Sequence, residues 1–349
     1  MEDPIATPSV GSGSSVDRVT FFLPNGWKAF HGGNIREKER PWIWRTGRLT
    51  VDSGDWRVTI DPLEGLTSSF WSNLKEIGSN AVTHIGEIRR SDGACFDVAD
   101  CDSAMNVTRL TIGFALGRAT QCLLPVGWRG DAAVWTRWHT GGVDRVLSVQ
   151  SILDESEAIE QLEKILTGGF RFVKDDYTEE ILQYSISYYL TANYDVNVEV
   201  AVALAISGLQ MLAYYRLMEE SKTYSNRTWK GMTTYEQVKA FLTSISVDLA
   251  VPPTLAHLAD VQRLLGPRDD GSQRDALQCS IDMRNSVIHP TREKPARWSS
   301  YQWAEASHIA LDYLRFAILN LLGYSGGVRT AAQEEKWLGS LTPMPWDQP

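Results

Sequence analysis

The hydrophobic period of this chain changes once, near Asp154, and that change constrains the fold more than any other feature. Before it, apolar residues fall in short runs rich in β-branched and aromatic side chains, such as Val19-Thr20-Phe21-Phe22-Leu23, Arg57-Val58-Thr59-Ile60 and Asn80-Ala81-Val82-Thr83-His84-Ile85. Turn-forming groups bound these runs: Pro24-Asn25-Gly26, Asp52-Ser53-Gly54-Asp55 and Arg129-Gly130-Asp131. After it, apolar residues recur at spacings of three and four, the period of amphipathic helices. The expected fold class is therefore α+β. A flexible arm over 1–17 precedes a β-rich, sandwich-like domain over 18–150, an all-α bundle follows over 151–325, and 326–349 form a tail.

Within the β-rich part, Gly86 to Val98 reads as a hairpin closed by Ser91-Asp92-Gly93. Met105 to Phe114 reads as a helix between strands, with a strand as the alternative. Eight of the 13 Trp residues precede residue 150. Trp27, Trp42, Trp44, Trp56, Trp128, Trp135 and Trp138 offer an aromatic ligand surface in principle, but core and strand-end packing is the favoured reading. His31, His84 and His139 are scattered and receive no role.

In the helical part, Ser156 to Leu166 is an amphipathic helix ended by Gly168-Gly169. Further helices are read over Tyr177 to Asn193, Asp195 to about Lys222, Thr234 to Leu249 and Thr254 to Leu265. The third is nearly all apolar from Val198 to Ala213 and is expected to be the buried centre of the bundle. Ser272 is read as the cap of the next helix. The last long helix begins at Ser299 or Ser300, ends at Gly323, and carries a core stripe through Trp303, Ala306, Ala310, Tyr313, Leu314, Ala317 and Leu321. A short helix is expected over Thr330 to Leu338.

The formal charge of -9 excludes a general nucleic-acid coat protein, so any nucleic-acid contact must come from a local patch. Cys95, Cys101, Cys122 and Cys279 match no zinc spacing and read as unpaired thiols of a reducing compartment. No apolar leader is seen, and the most apolar run, Val200 to Ile206, is too short to span a bilayer. The expected location is the cytoplasm, with no membrane association.

One stretch suggests specific chemistry: Arg284-Asn285-Ser286-Val287-Ile288-His289, followed by Pro290. On a helical wheel Leu277, Ile281, Arg284 and Ile288 share one line, so a guanidinium interrupts an apolar stripe. Gln278, Asp282, Asn285 and His289 form the neighbouring line, and Asn285 and His289 are i, i+4 neighbours. Pro290 disfavours helical backbone at residue 289 and should end the helix there. The imidazole then sits at the partial negative charge of a helix C-terminus, a setting for a general acid or base. An arginine fork suits a phosphate, and an asparagine holds the imidazole or a phosphate oxygen. Together these groups suit metal-free cleavage of an RNA phosphodiester.

This Arg-Asn-x-x-x-His phrase, ending a helix inside an all-α region and followed by a long apolar helix, resembles the signature of the HEPN superfamily. The closing Leu321-Leu322-Gly323-Tyr324-Ser325-Gly326 is similar to the end of the next helix in HEPN proteins of bacterial antiphage genes. The resemblance covers about residues 151–325. It implies a helical bundle that dimerises, a composite cleft, and metal-independent endoribonuclease activity in abortive infection or as a toxin. Arg284 and His289 are then catalytic, with Asn285 assisting. Arg274, Arg292 and Lys294 are candidate substrate-binding residues, and Glu199 is the candidate acidic partner. No cofactor is expected. RNA is the expected partner, with a second copy of the chain and a phage-derived or small-molecule trigger at the β-rich domain. The alternative is a non-catalytic HEPN module that binds RNA or acts as a scaffold, with recognition by the β domain. An enzymatic or carbohydrate-binding β domain ranks last, since no paired carboxylates or nucleophile motif are readable.

Overall fold

The computed structural model describes residues 9–28, 31–36, 44–138, 141–146, 151–194, 196–289, 298–330, 333, 337 and 340–347. The chain divides into two compact units, Met1–Glu179 and Glu180–Pro349. The fold is α+β, with a β-rich N-terminal unit and a helical C-terminal region.

The N-terminal unit is built on eight antiparallel strands in the order β1-β8-β7-β2-β6-β5-β4-β3. Their ranges are β1 Ser9–Gly11, β2 Arg18–Pro24, β3 Gly33–Arg36, β4 Trp44–Ser53, β5 Trp56–Pro62, β6 Val82–Arg90, β7 Leu123–Arg129 and β8 Ala132–Arg137. Register places Val51, Val58, Ile88 and Val19 in one row across the sheet, and Leu49, Ile60, Gly86 and Phe21 in the next. The seven side chains in these rows are all buried, while Phe22 and Ile85, one residue along, are over a third exposed. Alternation therefore separates an inner from an outer face. The expected sandwich-like layering is realised as this one sheet with helices. Those helices are α1 (Ser68–Glu76), α2 (Asp102–Leu116) and α3 (Ala158–Phe172), with α3 packed on β4 and on α2.

Several local expectations change. Residues 9–17 are not a loose arm: β1 pairs with β8, and Val16, fully buried, bridges to Phe96. That bridge also replaces the expected hairpin, because after the Ser91–Gly93 turn the chain leaves β6 and meets Val16 instead. The region around Met105 is the helical alternative. α3 runs through Gly168-Gly169 to Phe172, so these glycines do not end it. A Cβ at Gly169 would lie 2.5 Å from Thr111 Cγ2, so the missing side chain lets α3 approach α2 closely. α3 belongs to the N-terminal unit, which therefore extends past residue 150 to Glu179.

Gly86 is a comparable case in the sheet. A Cβ there would sit 2.1 Å from Phe21 Cζ, and the Phe21 ring is 1% exposed with nowhere to move. Gly86→Ala is expected to destabilise the N-terminal unit by about 1–3 kcal/mol through overpacking. Thermal melting checks this, and an unchanged melting temperature would show that the ring has room.

The chain continues through α4 (Asp176–Asn193) into the helical unit, which holds α5 (Val198–Tyr214), α6 (Asn226–Gly231), α7 (Thr234–Ser244), α8 (Ala256–Leu265), α9 (Ala276–Ile288) and α10 (Ser300–Leu321). α5 is central, as its apolar sequence requires, and its main partner is α10. The two cross where a Cβ at Gly208 would meet Leu314 at 3.1 Å. A π-helical segment, Tyr215–Glu220, prolongs α5. Over Val198–Glu220 this helix is long and apolar enough to cross a membrane by length and composition, yet half of its most apolar window is buried in the protein. Ser299 caps α10 in a capping box with Gln302, and all seven residues of the expected core stripe are buried. The helix expected over Thr330 to Leu338 lies largely outside the described residues. Either side of it, β9 (Gly327–Val328) pairs with β10 (Thr342–Pro343).

Of the tryptophans, Trp27 and Trp135 are buried and Trp138 is 59% exposed; Trp42 and His139 lie outside the described residues. All four cysteines are free thiols, with Cys101, Cys122 and Cys279 buried.

Candidate functional site

α9 starts later than its sequence suggests. Asp275, not Ser272, is the N-cap, and its carboxylate accepts from the Gln278 N–H at 2.8 Å. Ser272 instead donates through its N–H and hydroxyl to Asp270. A carboxylate caps about as well as a serine hydroxyl and, unlike it, complements the helix dipole with its charge. His289 is the C-cap, leaving helical backbone at φ -123° and ψ 62°, and its N–H still donates to the Asn285 carbonyl at 2.9 Å. The helix therefore ends where the following proline demands, although Pro290 itself lies outside the described residues.

The apolar line of the wheel is real at its start and is lost along the helix. Leu277 and Ile281 are buried, Arg284 is half-buried, and Ile288 is 42% exposed. α9 leaves the core as it runs, so Arg284 stands at the edge of the core and not inside it. Its Nη1 donates to Asn285 Oδ1 at 3.1 Å, and its buried Nε has no partner among the described residues. Burial lowers the guanidinium pKa from its ordinary value, and no carboxylate offsets that effect. Arg284 remains a cation, held partly desolvated beside an amide.

Residues of both lines of the wheel face a cleft of about 610 Å³. Gln278, Ile281, Arg284, Asn285 and His289 form one wall. Thr233 to Glu236, at the start of α7, form a second, and Arg268 to Asp270 with Arg274 complete it. His289 is exposed, with its backbone fixed by the α9 terminus.

The charges in the cleft are unevenly paired. Glu236 is held by its own helix start, accepting from the Thr233 N–H at 2.6 Å, and this interaction lowers its pKa. Asp282 pairs with Arg274 at 3.0 Å and accepts from Gln278 at 2.7 Å, while burial pushes its carboxyl upward. Asp275 accepts from the Tyr235 hydroxyl at 2.6 Å, and Lys239 donates to that same hydroxyl at 2.9 Å. Arg268 lies over the Tyr235 ring at 4.7 Å. Among the described residues neither Arg268 nor Arg284 makes an ion pair. Among the described residues the cleft thus offers two guanidinium groups outside any ion pair, with Arg268 near enough to Glu236 and Asp270 to help lower their carboxyl pKa values, together with an amide and an imidazole, a set suited to an anion that also exchanges a proton.

Arg284, Asn285 and His289 are brought together on one wall. Arg274 lines the same cleft, with its guanidinium engaged by Asp282. Arg292 and Lys294 lie outside the described residues. Glu199 sits half-buried in the first turn of α5, does not line the cleft, and makes no ion pair with Arg284. Sequence reasoning missed Tyr235 as a site residue, because it lies at a helix start more than 30 residues away; Arg268 is one of several basic residues that flank the motif in the sequence, where a local basic rim is one reading, and it lines the cleft. Among the described residues no group of His, Cys, Asp and Glu is arranged to hold a metal ion.

No solved structure matches this chain. No HEPN family model matches it either, so that resemblance stands on the motif and its setting alone. A protein of Bacillus subtilis (strain 168) described as "SPbeta prophage-derived uncharacterized protein YopA" is 22% identical over 303 residues, covering 86% of this chain and 66% of the relative. The two units fall in two matched regions, and over most of its length the chain is similar to YopA proteins: residues 11–149 match the YopA central domain and residues 175–341 match the YopA C-terminal domain.

Proposed function

We propose that the helical unit is a metal-independent endoribonuclease of the HEPN type, acting as a homodimer in the cytoplasm. The observation that carries this reading is the half-buried Arg284, with no ion pair among the described residues, sharing a cleft wall with Asn285 and His289. A guanidinium kept partly dry without a counter-ion is costly unless a ligand supplies the charge. RNA phosphate has that charge and suits the fork.

In the proposed reaction the ribose 2′-oxygen attacks the adjacent phosphorus and gives up its proton to a base. The bond to the 5′-oxygen breaks, and that oxygen takes a proton from an acid. The products are a 2′,3′-cyclic phosphate and a free 5′-hydroxyl. Arg284 and Arg268 offset the charge that builds on the phosphorane. His289 is the proton-transfer group of this wall, and a second copy of the chain would supply a second imidazole. The prophage origin in the name of the Bacillus subtilis relative fits a role in conflict between phage and host, such as abortive infection.

The test is end-labelled RNA incubated with the purified chain in EDTA. Fragments ending in 2′,3′-cyclic phosphate are expected. RNA that is bound and left intact would support a non-catalytic binding module instead, and RNA neither bound nor cut would remove both readings.

Binding should be strongly salt-dependent, since it relies on arginines in a chain of net charge -9. With two to four phosphate contacts, log affinity should fall against log salt with a slope of about -1.4 to -3. A filter-binding series with a catalytically dead variant measures this. A flat response would count against phosphate-dominated contact.

A further inference from the structure

A second cleft lies within the N-terminal unit, at the end of the inner face of the sheet. The inner rows are apolar until register places His84 of β6 between Leu23 of β2 and Pro62 of β5. His84 is fully buried. Its Nδ1 is 2.9 Å from Thr83 Oγ1, which also accepts from the Gly26 N–H at 2.8 Å. Its Nε2 is buried and has no hydrogen-bond partner among the described residues. Most buried side-chain nitrogens have a partner, so this orphan marks a place where a ligand can supply one.

His84 helps to wall a cleft of about 360 Å³, a size suited to a small ligand. Trp27 packs against the imidazole in a tilted arrangement, with ring centroids 4.2 Å apart and planes at 30°. Trp71 is also in the wall. The charged groups of the lining are Arg45, which donates to the Pro62 carbonyl at 3.1 Å, Lys28, which is half-exposed and paired with Glu155 at 3.0 Å, and the Glu64 carboxylate. Gly65, at φ +85°, and Gly47, at φ +110°, bring bare backbone to the cleft. Burial pushes the His84 pKa down to about 3, so the ring is neutral and meets a ligand by hydrogen bonding, not by charge.

We propose that this cleft binds a mononucleotide, its planar heterocycle beside Trp27 and hydrogen-bonded at its edge to His84 Nε2, its phosphate toward Arg45 and Lys28. The aromatic wall selects a flat ring, the orphan nitrogen selects a ring with a polar edge, and the two cations select an attached anion. This inference does not depend on the ribonuclease reading, which concerns a different cleft.

The experiment titrates the full chain with AMP, GMP, CMP and UMP in EDTA, read by tryptophan fluorescence and calorimetry, with adenosine and inorganic phosphate as separate probes. At least one nucleotide should bind saturably, one per chain, with Kd below about 1 mM. Adenosine and phosphate should each bind at least about tenfold more weakly than the best nucleotide, since each carries half of the recognised chemistry. His84→Ala and Arg45→Gln should each weaken binding by about tenfold or more, and Arg284→Ala, in the other cleft, should leave it unchanged. Arg45→Gln decides the matter if His84→Ala does not fold. Absence of saturable binding by all four nucleotides overturns the proposal. So does binding that survives Arg45→Gln and is lost in Arg284→Ala, because such a ligand sits in the other cleft.

Discussion

Alanine at His289 or Arg284 is expected to lower the rate of RNA cleavage by at least about 100-fold each, with the fold intact. The first figure is the lower end for loss of a general acid or base, and the second for loss of a charge-stabilising group. Both side chains are dispensable for folding on structural grounds. His289 is exposed and contributes its backbone, not its ring, to the helix end. Arg284 is half-buried with an unsatisfied Nε, so truncation removes an unfavourable burial along with a single bond to Asn285. Melting temperatures near wild type should accompany the lost activity. Asn285→Ala should be milder, at about tenfold, because its amide orients Arg284 and does not transfer the proton. Folded Arg284→Ala and His289→Ala proteins that cut as fast as wild type would show that the chemistry resides elsewhere. Loss of RNA affinity in Arg284→Ala, with the His289→Ala affinity kept, would separate phosphate binding from proton transfer.

The order of elements was legible because periodicity reports burial, and most helices and strands bury one face. The expectations failed where a residue acts through a neighbour distant in sequence. Gly168-Gly169 reads as a helix stop, yet α3 passes through it because α2 lies against that spot. Val16 reads as part of a loose arm, yet Phe96 pairs with it across a gap of 80 positions. The candidate site shows the same division. Arg284, Asn285 and His289 lie within six residues of one helix, so a wheel alone places them. Arg268 and Tyr235 enter the cleft from other segments: flanking basic charge points to Arg268 among several candidates, and no local pattern marks Tyr235. His84 is intermediate: strand alternation puts it on the inner face, and only the structure shows that its second nitrogen lacks a partner.

Asp312→Ala is expected to have the largest effect on stability, a loss of about 3–5 kcal/mol for the helical unit. The wheel of α10 gives a core stripe and leaves Asp312 and Arg315 on its flank, where solvent would be the default for both. Instead α10 is enclosed nearly all round, and each of the two is 1% exposed. Arg315 Nη1 donates to Asp312 Oδ1 at 2.7 Å and to the Arg329 carbonyl at 2.7 Å, and Nη2 reaches the Tyr189 hydroxyl at 3.3 Å. Removing the carboxylate takes from a guanidinium deep in the bundle the ion-pair partner it has among the described residues. The cost of that buried charge, not the strength of the pair, sets the size of the effect. The double variant Asp312→Leu with Arg315→Met should therefore recover most of the loss, since it removes both charges and restores apolar volume. Urea denaturation of the full chain, followed by helical circular dichroism, checks both variants. A small loss in Asp312→Ala would mean that water reaches Arg315 in solution. A double variant no more stable than the single one would mean that the bonds to Arg329 and Tyr189 carry the stability, and that the pair fixes the seat of the C-terminal residues on the bundle.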